Sequence, residues 1–224
     1  IFDLCRLPFA KKLELFKEGK VTISQLGRED ARNMIQQIQL DTYLIGEEID
    51  KAGIRDFLDT KIHYPLYFLD FETSQYPVPA FKDSKPYQQI PFQYSLHYIE
   101  EPGGELKHTE FLGNGVDDPR RALAEQLCKD IPMDVCTTAY NKSFECTRLK
   151  ELAEAFPDLA EHLLNIADHI VDLLDPFQEG YYYAPAMDGS FSIKKVLPAL
   201  FPDDPTLDYH NLTGGVQNGG DAMN

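Results

Sequence analysis

Cysteine is scarce in this chain of 224 residues: there are four, at positions 5, 128, 136 and 146, and no two stand in a Cys-x-x-Cys spacing. The six histidines show no zinc-binding spacing either. Neither a disulfide framework nor a structural zinc is expected, and reduced thiols in a cytoplasmic protein are. Long apolar runs are absent as well. No stretch approaches the roughly 18 residues needed to cross a bilayer, and none has the layout of a signal peptide, so no membrane partner is expected. Basic residues are few, with 21 Lys and Arg against 37 Asp and Glu, a formal net charge of −16. That imbalance argues against a broad basic surface that coats duplex nucleic acid. It leaves room for a local site in which bound cations offset carboxylates. There is no internal repeat and no low-complexity segment. A hydrophobic content of 43% is enough for one good core with a small appendage. Ile1 rather than Met opens the chain, so a piece of a longer protein is expected.

The most informative feature present is Asp70-Phe71-Glu72, at the end of the run Tyr64-Pro-Leu-Tyr-Phe-Leu-Asp-Phe-Glu-Thr73. Period-two geometry puts Asp70 and Glu72 on the strand face of Leu66 and Phe68, while Tyr67, Leu69 and Phe71 point the other way. Two carboxylates side by side on an apolar strand repel each other and resist burial unless they protonate or hold a cation. A divalent metal with oxygen ligands, Mg²⁺ or Mn²⁺, fits that demand. A strand fraying into a polar loop is the plainer reading of the same three residues.

Residues 1–62 read as helical, with helices over 8–16, 29–45 and 50–58, and form an appendage or the tail of an upstream domain. From residue 64 the pattern turns to strands. Residues 64–73, 91–99 and 106–112 form an antiparallel meander, the last two joined by the turn Glu101-Pro-Gly-Gly-Glu105. Asp117-Asp118-Pro119 opens a helix over 120–129, a strand follows at 135–140, and helices cover 143–156 and 158–169. A loop rich in Tyr, Pro and Gly at 179–189 precedes a short helix at 192–200, and Asp221 opens one more. The fold class expected is α/β, with one domain over 63–224 whose last helix is truncated.

A second constellation lies where strand passes to helix, in Thr138-Ala-Tyr-Asn-Lys-Ser-Phe-Glu-Cys-Thr-Arg-Leu149. Positions 145, 149, 152 and 156 share one helical stripe, so Glu145 lies on the face that packs against the sheet. A carboxylate there needs a partner. Arg148 and Lys150 point off that stripe, whereas a metal shared with Asp70 and Glu72 explains the placement, and the helix N-terminus favours a nearby phosphate.

At these residues the chain resembles the DEDD exonucleases of the ribonuclease-H-like superfamily. Asp70 and Glu72 match the family's Asp-x-Glu; Asn141, Phe144 and Glu145 match its Asn-x-x-Phe-Asp with Glu for Asp; Asp221-Ala222 matches the Asp that opens a late helix. Pro86-Tyr-Gln-Gln-Ile-Pro-Phe-Gln-Tyr-Ser-Leu-His97, Asp172-Leu-Leu-Asp-Pro-Phe177, Ser190-Phe-Ser-Ile-Lys-Lys-Val-Leu-Pro198 and Gln217-Asn-Gly-Gly-Asp221 look more closely like the bacterial family called domain of unknown function 2779. The resemblance implies a ribonuclease-H-like mixed sheet, three antiparallel strands followed by parallel ones, flanked by helices. It also implies a RecB-like nuclease domain upstream in the same polypeptide.

The activity that the resemblance implies is 3′–5′ hydrolysis of single-stranded DNA or RNA. Asp70, Glu72, Glu145 and Asp221 would serve as catalytic carboxylates holding two divalent cations. Asn141 and Phe144 belong to the matched motif and would meet the substrate. The family's Tyr or His ahead of the last Asp is replaced here by Gln217 or Val216, so the base is missing, supplied by another residue such as His210, or unnecessary beside metal-bound water. Asp172 is an auxiliary outer ligand or a simple cap. The loop 74–89, with Tyr76, Phe81, Lys82, Lys85 and Tyr87, either stacks a terminal base and contacts its phosphate or is a proline-stiffened connection. Lys194 is a candidate phosphate contact. Two alternatives stay open: a ribonuclease-H-like binding module without catalysis, and a hydrolase of small phosphoesters or nucleotides, which suits the acidic charge.

Overall fold

The computed structural model describes residues 1–208 and 211. In chain order the helices are α1 (Phe9–Lys17), α2 (Met34–Ile45), α3 (Lys51–Lys61), α4 (Arg120–Asp130), α5 (Ser143–Ala155), α6 (Ala160–Asp168), α7 (Asp175–Gln178) and α8 (Ile193–Leu200). The strands are β1 (Glu48–Ile49), β2 (Leu66–Ser74), β3 (Ile90–Ile99), β4 (Lys107–Leu112), β5 (Cys136–Ala139), β6 (Ile170–Asp172) and β7 (Tyr182–Tyr183). Two compact units result: Asp59–Leu173, and Ile1–Leu58 with the described chain from Leu174 onward. The change of pattern near residue 62 does not reveal that second grouping.

The first unit is α/β, a five-stranded mixed sheet in the order β4-β3-β2-β5-β6 with helices α4, α5 and α6. β3 is antiparallel to both β2 and β4, whereas β5 runs parallel to β2 and β6 parallel to β5. Alternation along β2 divides its side chains as the sequence predicts. Tyr67, Leu69 and Phe71 enter the core with Tyr94 and Leu96 of β3, Leu123 and Leu127 of α4, Leu149 and Leu152 of α5, and Leu163 and Ile166 of α6. Phe68 and Glu72 are half-buried and Asp70 is exposed. One polar bond anchors this core: the hydroxyl of fully buried Tyr94 donates to Asp130 Oδ2 at 2.5 Å.

The second unit has two small apolar cores. Ile1, Leu4, Leu7, Leu15, Ile23 and Leu40 form one, and Tyr182, Tyr183, Met187 and Val196 lie in the other. Buried glutamines of α2 stitch the N-terminal turn to this unit, Gln36 Nε2 donating to Cys5 O at 2.8 Å and Cys5 N to Gln39 Oε1 at 2.7 Å. Helix α2 starts later than the apolar pattern suggests because Asn33 caps it, its side chain accepting from Gln36 N. β1 and β7 pair antiparallel, Glu48 with Tyr183 and Ile49 with Tyr182. The sequence pattern assigns no strand to either segment, since two-residue strands carry no readable period.

Leu127 is fully buried among α4, α5 and the sheet. Leu127→Ala is expected to destabilise the chain by about 2–5 kcal/mol, to be read as a lower urea midpoint with an unchanged slope.

Candidate carboxylate centre

Parallel pairing of β2 with β5 brings their C-terminal ends together, with Phe68 opposite Thr138 at the last paired position. Beyond that point β2 carries Asp70 and Glu72, and β5 turns into α5, whose first turn holds Glu145. Two segments about 70 positions apart in sequence thus place their carboxylates at one end of the sheet, the end where open α/β sheets bind ligands.

Glu145 is the most constrained of the three. It is 4% exposed, and its Oε2 has no hydrogen-bond partner among the described residues. Loss of solvent pushes its carboxyl up to about 7, repulsion from Asp70 and Asp172 adds to the rise, and its own amide and Arg148 oppose it. Arg148 is not its ion-pair partner: the buried guanidinium bonds Glu151 at 3.0 Å and Gln89 Oε1, and lies over the Phe144 ring. Asp70 reaches solvent, yet the protein atoms crowding it raise its carboxyl above the usual range, partly offset by the Phe71 amide. Glu72 is raised by desolvation and then by the charge of Asp70. Desolvation is the leading cause for each, and repulsion from neighbouring carboxylates adds to it at Glu72 and Glu145.

Asp172, at the end of β6, is buried and accepts from two backbone amides, Asn141 N at 2.8 Å and Lys142 N at 3.0 Å. These bonds hold Asn141 in the left-handed region, φ 64°, immediately ahead of α5. Asp172 therefore sets the turn that launches the helix of Glu145. The Asn141 side chain accepts from Ser143 Oγ at 3.0 Å. Helix α5 has Lys142 at its N-cap and no side-chain cap bond, so Ser143 does not cap it as its position suggests.

Asp70 also borders a crevice of about 280 Å³, whose walls include Phe68, Ser95, His97, Thr138 and Tyr140. Burial and the nearby Asp172 hold the Tyr140 hydroxyl far above its ordinary range. A larger pocket of about 370 Å³ opens just past Glu72, lined by Ser74, Gln75, Tyr76, Phe81, Phe92 and the β4–α4 loop. Lys85 and Tyr87 lie on neither surface. They line a third crevice beside α5 with Asp83, Arg120, Glu151 and Glu154, where Tyr87 is 66% exposed. Phe144 packs on the core. Lys194 lies on α8, in the other compact unit. His210 and Asp221 fall outside the described residues. His97 and Tyr140 were not singled out by the sequence pattern, although alternation along β3 puts His97 on the face of Gln93 and Ser95.

Among the described residues, no group of three or more His, Cys, Asp or Glu side chains is arranged to hold a metal ion. No helix among them is long and apolar enough to cross a membrane. Residues 67–192 match the family model described as Domain of unknown function (DUF2779). The uncharacterized protein UU173 of Ureaplasma parvum serovar 3 is 29% identical over 214 residues, an alignment that covers 89% of this chain and 30% of that protein. The chain thus spans less than a third of its relative's length. No solved structure matches it.

Glu145 binds its proton more tightly folded than unfolded, where its ordinary value is 4.5. Between pH 4.5 and about 7 the folded state holds more protons, so stability falls as pH rises through that window. In chelator, Glu145→Gln is expected to match the wild type near the lower limit and exceed it by on the order of 2 kcal/mol above the upper one. Urea denaturation at both limits measures this. Asp172→Ala removes the acceptor of two amides and is expected to cost about 2–4 kcal/mol in the same assay.

Proposed function

This chain belongs to the Domain of unknown function (DUF2779) family, and from its carboxylate centre we propose a metal-dependent 3′–5′ exonuclease acting on single-stranded DNA or RNA. The observation that carries the reading is Glu145 Oε2, a buried carboxylate oxygen without a hydrogen-bond partner beside further negative charge. Such an atom is costly in an empty site and satisfied by a hard cation. The strand order β4-β3-β2-β5-β6, with three antiparallel strands followed by two parallel ones, supports assignment to the ribonuclease-H-like superfamily.

Asp70, Glu72 and Glu145, completed by Asp221, would hold two Mg²⁺ or Mn²⁺ ions. When bound, these supply a water ionised near neutral pH and charge neutralisation at the phosphodiester. The chain's own residues do the rest. Asp172 fixes the turn before α5, so Glu145 faces Asp70 from a rigid helix rather than a loop. Tyr76, Phe81 and Phe92 offer π faces for a terminal base in the pocket beyond Glu72, and the two glycines of the β4–α4 loop, Gly113 and Gly115, keep its far wall low. Lys85 and Tyr87, one crevice away, would meet a more distant nucleotide. Asn141, Phe144 and Lys194 remain candidate substrate contacts by their place in the matched motifs, and His210 a candidate base. A RecB-like domain in the same polypeptide would supply the basic surface this acidic chain lacks.

The net charge of −16 favours a second reading, hydrolysis of small phosphoesters. Incubation with 5′-labelled single-stranded DNA and RNA in Mg²⁺ or Mn²⁺, alongside a mononucleotide ester, separates the two. The expected result is a ladder shortening from the 3′ end, abolished by chelator and reduced more than about 100-fold by Asp70→Ala. Turnover of the ester alone selects the second reading. A chain that retains oligonucleotide but cleaves nothing is a binding module.

A further inference from the structure

The sheet face that carries Asp70 also holds a pair of ligating side chains that the carboxylate centre does not use. In one row across the sheet, Asp70 of β2 lies opposite Ser95 of β3, and Ser95 opposite Glu110 of β4. In the next row Phe68 lies opposite His97, and His97 opposite His108. Opposed residues share a face, and so do residues two apart on one strand, so Glu110 lies beside His108 and Asp70 lies diagonal to His97. The rings of His97 and His108 stand 4.3 Å apart at 33°. His108 Nε2 lies 3.2 Å from Ser95 Oγ, and among the described residues no hydrogen bond engages the ring nitrogens of His97. His108 and Glu110 are exposed and His97 is half-buried, so solvent reaches the pair.

We propose that His97 and His108 form a two-imidazole site for a borderline-soft divalent transition metal, with Zn²⁺ as the probe. Two histidines opposed on adjacent antiparallel strands, with ring centroids 4.3 Å apart, can turn about their side-chain bonds to bring one nitrogen from each to a single ion. Waters complete the tetrahedron, and Glu110 beside His108, with Asp70 diagonal to His97, favours positive charge there without ligating the ion. Imidazole selects Zn²⁺, Co²⁺ or Ni²⁺ over Mg²⁺, which keeps to oxygen. The site is therefore chemically separate from the hard-cation centre at Glu145. It adjoins that centre, because His97 and Asp70 wall the same crevice. Occupancy puts a dication at its edge.

Calorimetric titration of the chain with ZnCl₂ in excess Mg²⁺ tests this without reference to any activity. One equivalent is expected to bind in the micromolar range. His97→Gln and His108→Gln, both of which keep a polar side chain at a solvent-accessible position, should each weaken binding by about tenfold or more. Asp70→Ala should weaken it less than either. Circular dichroism confirms that each variant is folded. The proposal is overturned by a wild type that takes up no Zn²⁺, by undiminished uptake in either histidine variant, or by uptake that only Asp70→Ala removes. The last result would assign the metal to the carboxylate centre. Failure of the exonuclease reading leaves all of these outcomes readable.

Discussion

A strand that runs antiparallel to one neighbour and parallel to the other faces two different connection problems, and β2 is that strand. A simple return serves β3, here the loop 75–89, but β5 must be reached by a crossover that returns the chain to the same end of the sheet. In this molecule the crossover runs through β3, β4 and α4, and it delivers the β5–α5 turn to the C-terminal end of β2. Everything proposed here about chemistry depends on that junction. It brings Glu145 to Asp70, lets β6 present Asp172 to the backbone of Asn141, and leaves the opposite face of β2 and β3 to Asp70, Ser95 and His97.

The energetic character of the junction is repulsion held in place by packing. Asp70, Glu72 and Glu145 all prefer to be protonated more than they do in water, and desolvation is the leading cause for each. Opposition comes only from the Phe71 amide at Asp70, and from its own amide and the more distant Arg148 charge at Glu145, among the described residues. Arg148 turns to Glu151 and Gln89, and the Lys142 ammonium donates to Ile170 O at 2.9 Å. The fully buried leucines of α4, α5 and α6 offset this cost from the other side of the sheet.

Much of this is legible in the sequence. The alternation of residues 66–72 separated core from carboxylates, and the stripe of Glu145, Leu149 and Leu152 proved to be the buried face of α5. The meander, α4 and β5 fell within a residue or two of their predicted bounds. No strand was assigned at β6, because three residues following a helix carry no period of their own. β1 and β7 were unreadable for the same reason. The loop 74–89 was ambiguous in sequence, and its residues divide between two surfaces, Tyr76 and Phe81 in one pocket and Lys85 and Tyr87 in another crevice.

The sequence by itself determined which residues face inward and where strand gives way to helix, because both are local consequences of backbone period and side-chain polarity. It also determined that Asp70, Glu72 and Glu145 lie in a mostly apolar setting. Only tertiary structure decided what those carboxylates meet. That Arg148 abandons Glu145, that Asp172 accepts two amides from a turn some 30 positions earlier, and that His97 stands opposite His108 are matters of register and strand order. No local pattern encodes them, because the free energy that selects a register comes from the whole buried face at once.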